Sequence, residues 1–411
     1  MKKTIKKIVL GNSITRELAK KYIYYRRKRI YNNFCKQNAI DSKMIIFESF
    51  IGRSYCDSGK AIYEEMIKDE RFNDFTFVWA FKNVEEKKDI PELSRAILVK
   101  HRSAKYFEYY SKAKYIVSNS RIDMTIKRRD GQVYIQTWHG TPLKRLGYDI
   151  EVKGANALYS NKELCKLYDI DSVRYSYLLS PSAFCTEKFA SAFNLKENAP
   201  KCEIIEEGYP RNDFLTRYTK EDIKKIKEKL GIDHNKKVIL YAPTWRDNQY
   251  KGDGYSYKLA VDFDKLRSQL GEEYIILFRA HYFVANSFDF KKYDGFIYDV
   301  SHYEDINHLY VVSDMLITDY SSVFFDYSIL KRPIIFYMYD LDAYQGEIRG
   351  FYISLDDLPG NIVKTEEELI NEINKEFIYD EKYKKFNERF TYLDDGYAAK
   401  RVIDRCIKGE L

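Results

Sequence analysis

The sequence predicts an α/β protein of two domains, each built on a parallel sheet and facing the other across a cleft, with a basic helical segment in front. Three observations carry that prediction. Short β-branched or aromatic runs alternate with helical stretches, which is the pattern of parallel strands joined by crossover helices. The chain has 411 residues, more than one hydrophobic core usually serves. Its basic excess is also local: residues 1–40 hold 12 Lys or Arg against the single acid Glu17, whereas the remainder has 57 basic and 61 acidic residues. The formal charge of +7 therefore belongs to the N-terminal segment and not to the body. An apolar fraction of 45%, with 38 Tyr and 25 Phe, supplies core material, and only 8 Pro and 18 Gly argue against a long disordered tract.

In the N-terminal segment, "KKYIYYRRKRIYNNF" mixes cations with aromatics, a composition that suits an anionic membrane surface. A solvated helix held to the body by its tyrosines is the second reading, and a nucleic-acid arm the third and least favoured. Ile14, Leu18, Tyr22 and Tyr25 share one helical face, while Ile23, Ile30 and Phe34 lie on roughly the opposite one. No apolar run reaches the roughly 18 residues of a membrane span, and "IVLG" is too short for a signal-peptide core. The expectation is a peripheral protein on the cytoplasmic face of the membrane. The six cysteines show no C-x-x-C pair or metal-type spacing, which predicts free thiols in a reducing compartment.

Taken in order, the strand candidates of the first half are "MIIFES", "FTFVWAF", "AILVK", "KYIVSN", "VYIQTW", "YLLSPS" and "CEIIEEGYP". After the charged stretch "TKEDIKKIKEKLGIDHNKK" come "VILYAPTW", "YIILFRAH", "GFIYDVS", "MLITDYSS" and "PIIFYMYD". The expected division is a basic segment at 1–40, a first Rossmann-like domain at 41–215 and a second at 216–411.

Several of these runs end in polar or basic groups: His139 with Lys144 and Arg145, Arg246, Arg279 with His281, and Ser321 with Ser322. The carboxyl ends of parallel strands form the ligand crevice, so two such edges facing each other make an interdomain site. In "QTWHGTPLKRLG", Gly140 permits close backbone approach and Pro142 can start a helix. His139 there reads as a general base with Lys144 or Arg145 drawing in an anion, or as a helix-capping histidine. In "FRAH", Arg279 and His281 would point to the same side of an extended segment and converge on phosphate oxygens. In "LITDYSSVFFDYSIL", Ser321 and Ser322 sit at a helix start, where they serve either a phosphate or the helix cap. His101, His234, His302 and His308 read as structural.

These motifs together, with "FESFIGRSYCDSGKAIYEEM", "SPSAFCTEKF", "GYPRND", "APTWRDN", "FRAHYF" and "DINHLYVVSDMLITDYSSVFFDYSILKRPIIFYMYDLDAYQGEIRGFY", resemble the CDP-glycerol glycerophosphotransferase family over roughly residues 43 to 405. The resemblance implies a GT-B-like architecture of two Rossmann-like domains, with the nucleotide held mainly by the second. It implies transfer of glycerol phosphate from CDP-glycerol to an alcohol on an undecaprenyl-diphosphate-linked acceptor in teichoic-acid or capsule synthesis, with CMP leaving and no nucleic acid involved. The family's key histidines map onto His139 and His281. Expected substrate contacts are Gly140, Thr141, Lys144, Arg145, Arg211, Arg246, Arg279, Thr318, Asp319, Ser321, Ser322, Asp326 and Glu347. Asp319, Asp326 and Glu347 are the candidates for ribose or cytosine.

No cofactor or bound metal is expected, because the acid pairs "DLD" and "DD" read as turn residues and phosphate charge falls to side chains and helix ends. CDP-ribitol transferases share the motifs. Polymerising members of the family often carry a long extra N-terminal region, so the roughly 40 residues ahead of the catalytic fold lean towards a single-addition or short-chain enzyme or a capsule-locus relative. A GT-B sugar transferase and a non-catalytic binder are the rival readings.

Overall fold

The computed structural model describes residues 13–150, 160–244, 250–251, 254–255, 261–280, 290–341 and 350–407. Among the described residues helix α1 (Ser13–Gln37) comes first and leads into a seven-stranded parallel sheet. Its strands are β1 (Asp41–Glu48), β2 (Thr76–Phe81), β3 (Ala96–Lys100), β4 (Ala113–Ser118), β5 (Val133–Gln136), β6 (Tyr177–Ser180) and β7 (Glu203–Glu206), in the order β3-β2-β1-β4-β5-β6-β7. Both faces are covered by helices, so the strands are apolar almost without alternation; Ile45, Ile46 and Phe47 of β1 are fully buried.

The second sheet has β8 (Lys237–Ala242), β11 (Tyr274–Phe278), β12 (Ile297–Asp299), β13 (Met315–Thr318), β14 (Ile334–Tyr337) and β15 (Asn361–Val363), in the order β12-β11-β8-β13-β14-β15 and again all parallel. Between its first two strands, β9 (Tyr250–Lys251) and β10 (Gly254–Tyr255) form a small antiparallel ribbon. The α/β architecture is as expected, and all twelve strand candidates fall on strands of the two sheets. The sequence reading missed β15 and the ribbon. In each sheet the strand order reverses at its centre, between β1 and β4 and between β8 and β13, which is where crevices open at the carboxyl ends.

Helix α2 (Asp57–Met66) follows β1 and α3 (Ala104–Lys112) follows β3. In the second domain, α4 (Ile306–Val312) precedes β13 and the short α5 (Val323–Tyr327) follows it. The last helix, α6 (Ala398–Cys406), departs from the expected division, which placed it with the second domain. Its Val402, Ile403 and Cys406 join Phe47, Ile62, Tyr63, Val117 and Ile205 in the core behind the first sheet. Asp213 fixes the start of α6 by accepting the Ala398 and Ala399 amides at 2.9 and 2.8 Å. The chain thus crosses from the first sheet to the second near residue 215 and returns to the first in α6.

Candidate active site

His139 stands at the carboxyl edge of the first sheet, three residues past β5. Trp138 before it adopts φ +52°, a left-handed conformation rare for a bulky residue, which turns the chain sharply out of the strand. The His139 ring stacks on Trp138 at 4.4 Å and meets the edge of Phe50 at 5.8 Å. Its Nδ1 lies 2.7 Å from the Asn119 carbonyl. A carbonyl only accepts, so Nδ1 carries the proton and the neutral ring keeps its lone pair on Nε2. Water reaches the ring from the cleft, yet protein atoms crowd it from the other sides. That loss of hydration, more than any single charge, holds its pKa below the ordinary 6.5. The Arg211 guanidinium pushes the same way, while the Asn119 hydrogen bond and Asp57 oppose it. The result is a neutral imidazole near pH 7.

Beside it, Gly140 has φ +145°, and a Cβ there would lie 3.2 Å from Nη2 of Arg211 and 3.4 Å from Oγ of Ser322. Only glycine lets the backbone pass between those two groups, one of which belongs to each domain. His139, Gly140, Arg211, Ser322 and Asp326 are therefore gathered at one point.

Arg211 and Asp326, both expected as substrate contacts, pair with each other between the two domains. The Arg211 side chain is 8% exposed; its Nη1 donates to the His139 carbonyl at 2.9 Å and pairs with Asp57 at 3.1 Å, and its Nη2 pairs with Asp326. Asn212 donates to the other Asp326 oxygen at 3.1 Å. Asp57 comes from the start of α2 and Asp326 from α5, so one guanidinium ties both domains to the His139 backbone. Thr318 and Asp319, also expected as substrate contacts, hold hydrogen bonds within the second domain. Thr318 Oγ1 donates to the Ala242 carbonyl at 2.8 Å; Asp319 Oδ1 accepts from the Thr244 amide and hydroxyl and from the Tyr320 amide at 2.8, 2.6 and 2.6 Å. Both are buried and lock the loops after β8 and β13 together. Thr141 is also buried, accepting from the Cys185 thiol at 3.6 Å.

Ser321 and Ser322 are half-buried at the start of α5, and Ser322 makes no side-chain cap bond, which leaves its hydroxyl towards Gly140. Arg279 donates to the Val300 and Tyr303 carbonyls at 3.1 and 2.7 Å, and no carboxylate lies in ion-pair range of it among the described residues. It holds the loop after β12. Lys144 bridges Phe351 through the backbone, the Arg145 amide donates to Gly350 O at 3.1 Å, and the Tyr352 amide donates to Leu143 O at 2.9 Å. The segment after His139 is thereby strapped to the second domain. Arg246, His281 and Glu347 lie outside the described residues.

Along one side of the cleft a cavity of about 1000 Å³ opens between Tyr55, Lys60, Lys87, Arg211, His302 and Tyr303. Lys60–Asp305 at 2.7 Å and Lys87–Glu304 cross it from one domain to the other. The sequence reading did not single out Asp57 or Asn119. Their signals were present as a strand-end polar residue in "KYIVSN" and as the acid opening α2 in "CDSGK".

Two parallel sheets meeting at their carboxyl edges, with a histidine between them, define a GT-B-like architecture. The chain belongs to the CDP-glycerol:poly(glycerophosphate) glycerophosphotransferase family, which it matches over residues 30–408. It is 41% identical to a teichoic acid poly(glycerol phosphate) polymerase of Staphylococcus epidermidis, over 93% of this chain and 54% of that protein. The chain thus spans about half the length of that relative. It is 38% identical to a teichoic acid glycerol-phosphate transferase of Staphylococcus aureus, over 92% of this chain and 97% of that one. A teichoic acid poly(ribitol-phosphate) polymerase of Bacillus spizizenii is 32% identical over 90% of this chain and 56% of its own length. Among solved structures, the wall teichoic acid polymerase TagF, as a histidine-to-asparagine variant soaked with CDPG, superimposes with a TM-score of 0.83. The two share 38% identity over 97% of this chain and 94% of that one, and the match bears out the GT-B-like fold.

Proposed function

We propose that the protein transfers glycerol phosphate from CDP-glycerol to a hydroxyl of a membrane-lipid-linked teichoic-acid acceptor and releases CMP. The observation that carries this reading is the Nδ1–H bond from His139 to the Asn119 carbonyl, which leaves a neutral imidazole with Nε2 available at the cleft. Nε2 takes the proton of the acceptor hydroxyl as its oxygen attacks the phosphorus next to glycerol. The bond from that phosphorus to the bridging oxygen breaks, and CMP leaves. Ser321, Ser322 and Arg279 line the second-domain side, with Arg246 and His281 as further candidates for the diphosphate. Lys144 and Arg145 draw the anionic donor towards the first-domain loop. Family membership and the glycerol-phosphate relatives support the donor, and the ribitol-phosphate relative supports CDP-ribitol as the second reading.

Peripheral attachment to the inner membrane face is supported by α1. Leu18, Tyr22 and Tyr25 are 61, 69 and 65% exposed there among Lys20, Lys21, Arg26, Lys28 and Arg29. No helix among the described residues is long and apolar enough to cross a membrane.

The test supplies purified protein with CDP-glycerol, and in parallel CDP-ribitol, plus a lipid-linked disaccharide with and without a first glycerol phosphate. CMP release and acceptor mass are measured. Glycerol phosphate gain that falls about 10² to 10⁴-fold in His139→Ala is the expected result. CMP formation from neither donor would refute the reading.

A further inference from the structure

The loops after β1, β2 and β3 are pressed into one another. Phe50, Ile51 and Gly52 follow in succession with φ of 47, 59 and 71°. The Phe50 amide donates to Asn119 Oδ1 at 2.8 Å and the Ile51 amide to Ser120 Oγ at 3.1 Å. A Cβ on Gly52 would lie 3.1 Å from Ala80 O, 3.2 Å from Lys82 N and 3.3 Å from His101 Cβ. The Lys82 amide donates to Gly52 O at 2.6 Å and the His101 amide to Phe81 O at 2.7 Å. This packing sets Arg53, Lys82 and Arg102 at three successive strand exits, all exposed to solvent.

A fourth cation comes from α1. Arg102 Nε and Arg27 Nη1 reach the same oxygen of Asp123, at 2.7 and 3.3 Å, and the other Asp123 oxygen accepts from the Thr125 amide and hydroxyl. One carboxylate therefore serves two guanidinium groups. The nearby Glu48 is fully buried and takes both the Tyr106 and Tyr110 hydroxyls at 2.9 Å, so it offers little compensation. The crowding is felt at Lys82, where partial burial and then Arg53 and Arg102 lower the pKa.

At one end this row touches the site, since the Phe50 ring packs on His139. At the other it reaches α1, whose Tyr31 hydroxyl donates to Lys127 O at 2.5 Å and pins the helix to the body. All four cations belong to α1 and the first domain, whereas Ser322 of the second domain lies on the Gly140 side of His139. We propose that Arg27, Arg53, Lys82 and Arg102 form a track for phosphate groups of the acceptor, leading from α1 to His139. The inference rests on the transfer reading above. The chemistry recognised is a phosphate monoanion on an extended acceptor, held by charge-assisted hydrogen bonds from several cations. It has two sources, the diphosphate of the lipid anchor and the phosphodiesters of glycerol phosphate already added.

Two probes separate those sources. One is a fluorescent oligomer of glycerol phosphate without lipid; the other is a polyprenyl-diphosphate disaccharide without glycerol phosphate, in neutral detergent micelles. Binding is measured for the full chain, its Lys82→Glu variant and the Arg53→Gln/Lys82→Gln double variant, each checked by thermal melting. The expected result is a Kd at least 10-fold weaker for one or both probes, with a shallower salt dependence, and an unchanged Kd for CDP-glycerol. Loss confined to the oligomer assigns the track to phosphodiesters, and loss confined to the lipid probe assigns it to the diphosphate. Equal affinities in wild type and variants for both probes overturn the proposal. Absence of CMP release by the wild type would defeat the transfer reading instead, because these binding measurements need no turnover.

Discussion

Glu48 and His101 face each other in the first domain with Oε1 and Nε2 3.6 Å apart, and both side chains are almost wholly enclosed. Burial pushes the Glu48 carboxyl up to about 7 against the pull of Tyr106 and Tyr110, and burial, followed by Arg102, pushes His101 down to about 4. The two act on stability with opposite sign. A raised carboxyl pKa means that the folded state binds more protons than the unfolded one between pH 4.5 and 7, so stability falls as pH rises through that window. A depressed imidazole pKa means that stability falls as pH drops from 6.5 to 4. Both tyrosines donate to the same Glu48 oxygen, so a glutamine amide oxygen can accept both bonds without ionising. Glu48→Gln should therefore gain stability relative to wild type by up to about 3 kcal/mol between pH 4.5 and 7. Urea titrations at a series of pH values measure that difference, and a constant offset would rule the account out.

Among the elements, β15 is the strand of the two main sheets that the sequence hid. "NIV" is three residues long and opens on a polar side chain, too short for a period to show. The longer strands were legible because burial on both faces demands unbroken apolar runs, and "FTFVWAF" or "YIILF" permit no other placement. What fixes β15 is contact with its neighbour. Gly360, just ahead of it, packs so tightly that a Cβ would lie 1.8 Å from the Ile334 carbonyl, and the register Ile335–Asn361 begins there. Gly360→Ala must shift backbone against backbone, and we expect a loss of about 2 kcal/mol or more in urea unfolding. A neutral outcome would mean that this edge of the sheet yields easily.

At the scale of the whole molecule, the Arg211 ion pairs decide how the domains meet. Sequence could locate the charged residues of the cleft but not which of them face each other, since Arg211 and Asp326 are 115 positions apart. They were read singly as substrate contacts and not as a pair, whereas the place of His139 at the sheet edge was legible because a strand exit and a following glycine mark it locally. Arg211→Met leaves Asp57 and Asp326 buried without their partner and should cost about 3–5 kcal/mol. Adding Asp326→Asn to Arg211→Met should return part of that loss, a non-additivity that a double-mutant cycle on denaturation midpoints reads directly. Strict additivity would show that the interdomain pair contributes nothing of its own.

The returning helix α6 sets the order in which this molecule can be finished as it is made. Strands β1 to β7 leave the ribosome early, but the cover for Phe47, Ile62 and Val117 is carried by Val402, Ile403 and Cys406, which are made only after the second sheet. Domains generally fold as units during synthesis, N-terminal first. Here the first domain waits with part of its apolar back uncovered until the second has been translated. Completion of the first domain is thereby tied to synthesis of the second, so truncation ahead of α6 would damage the domain made first rather than the one made last.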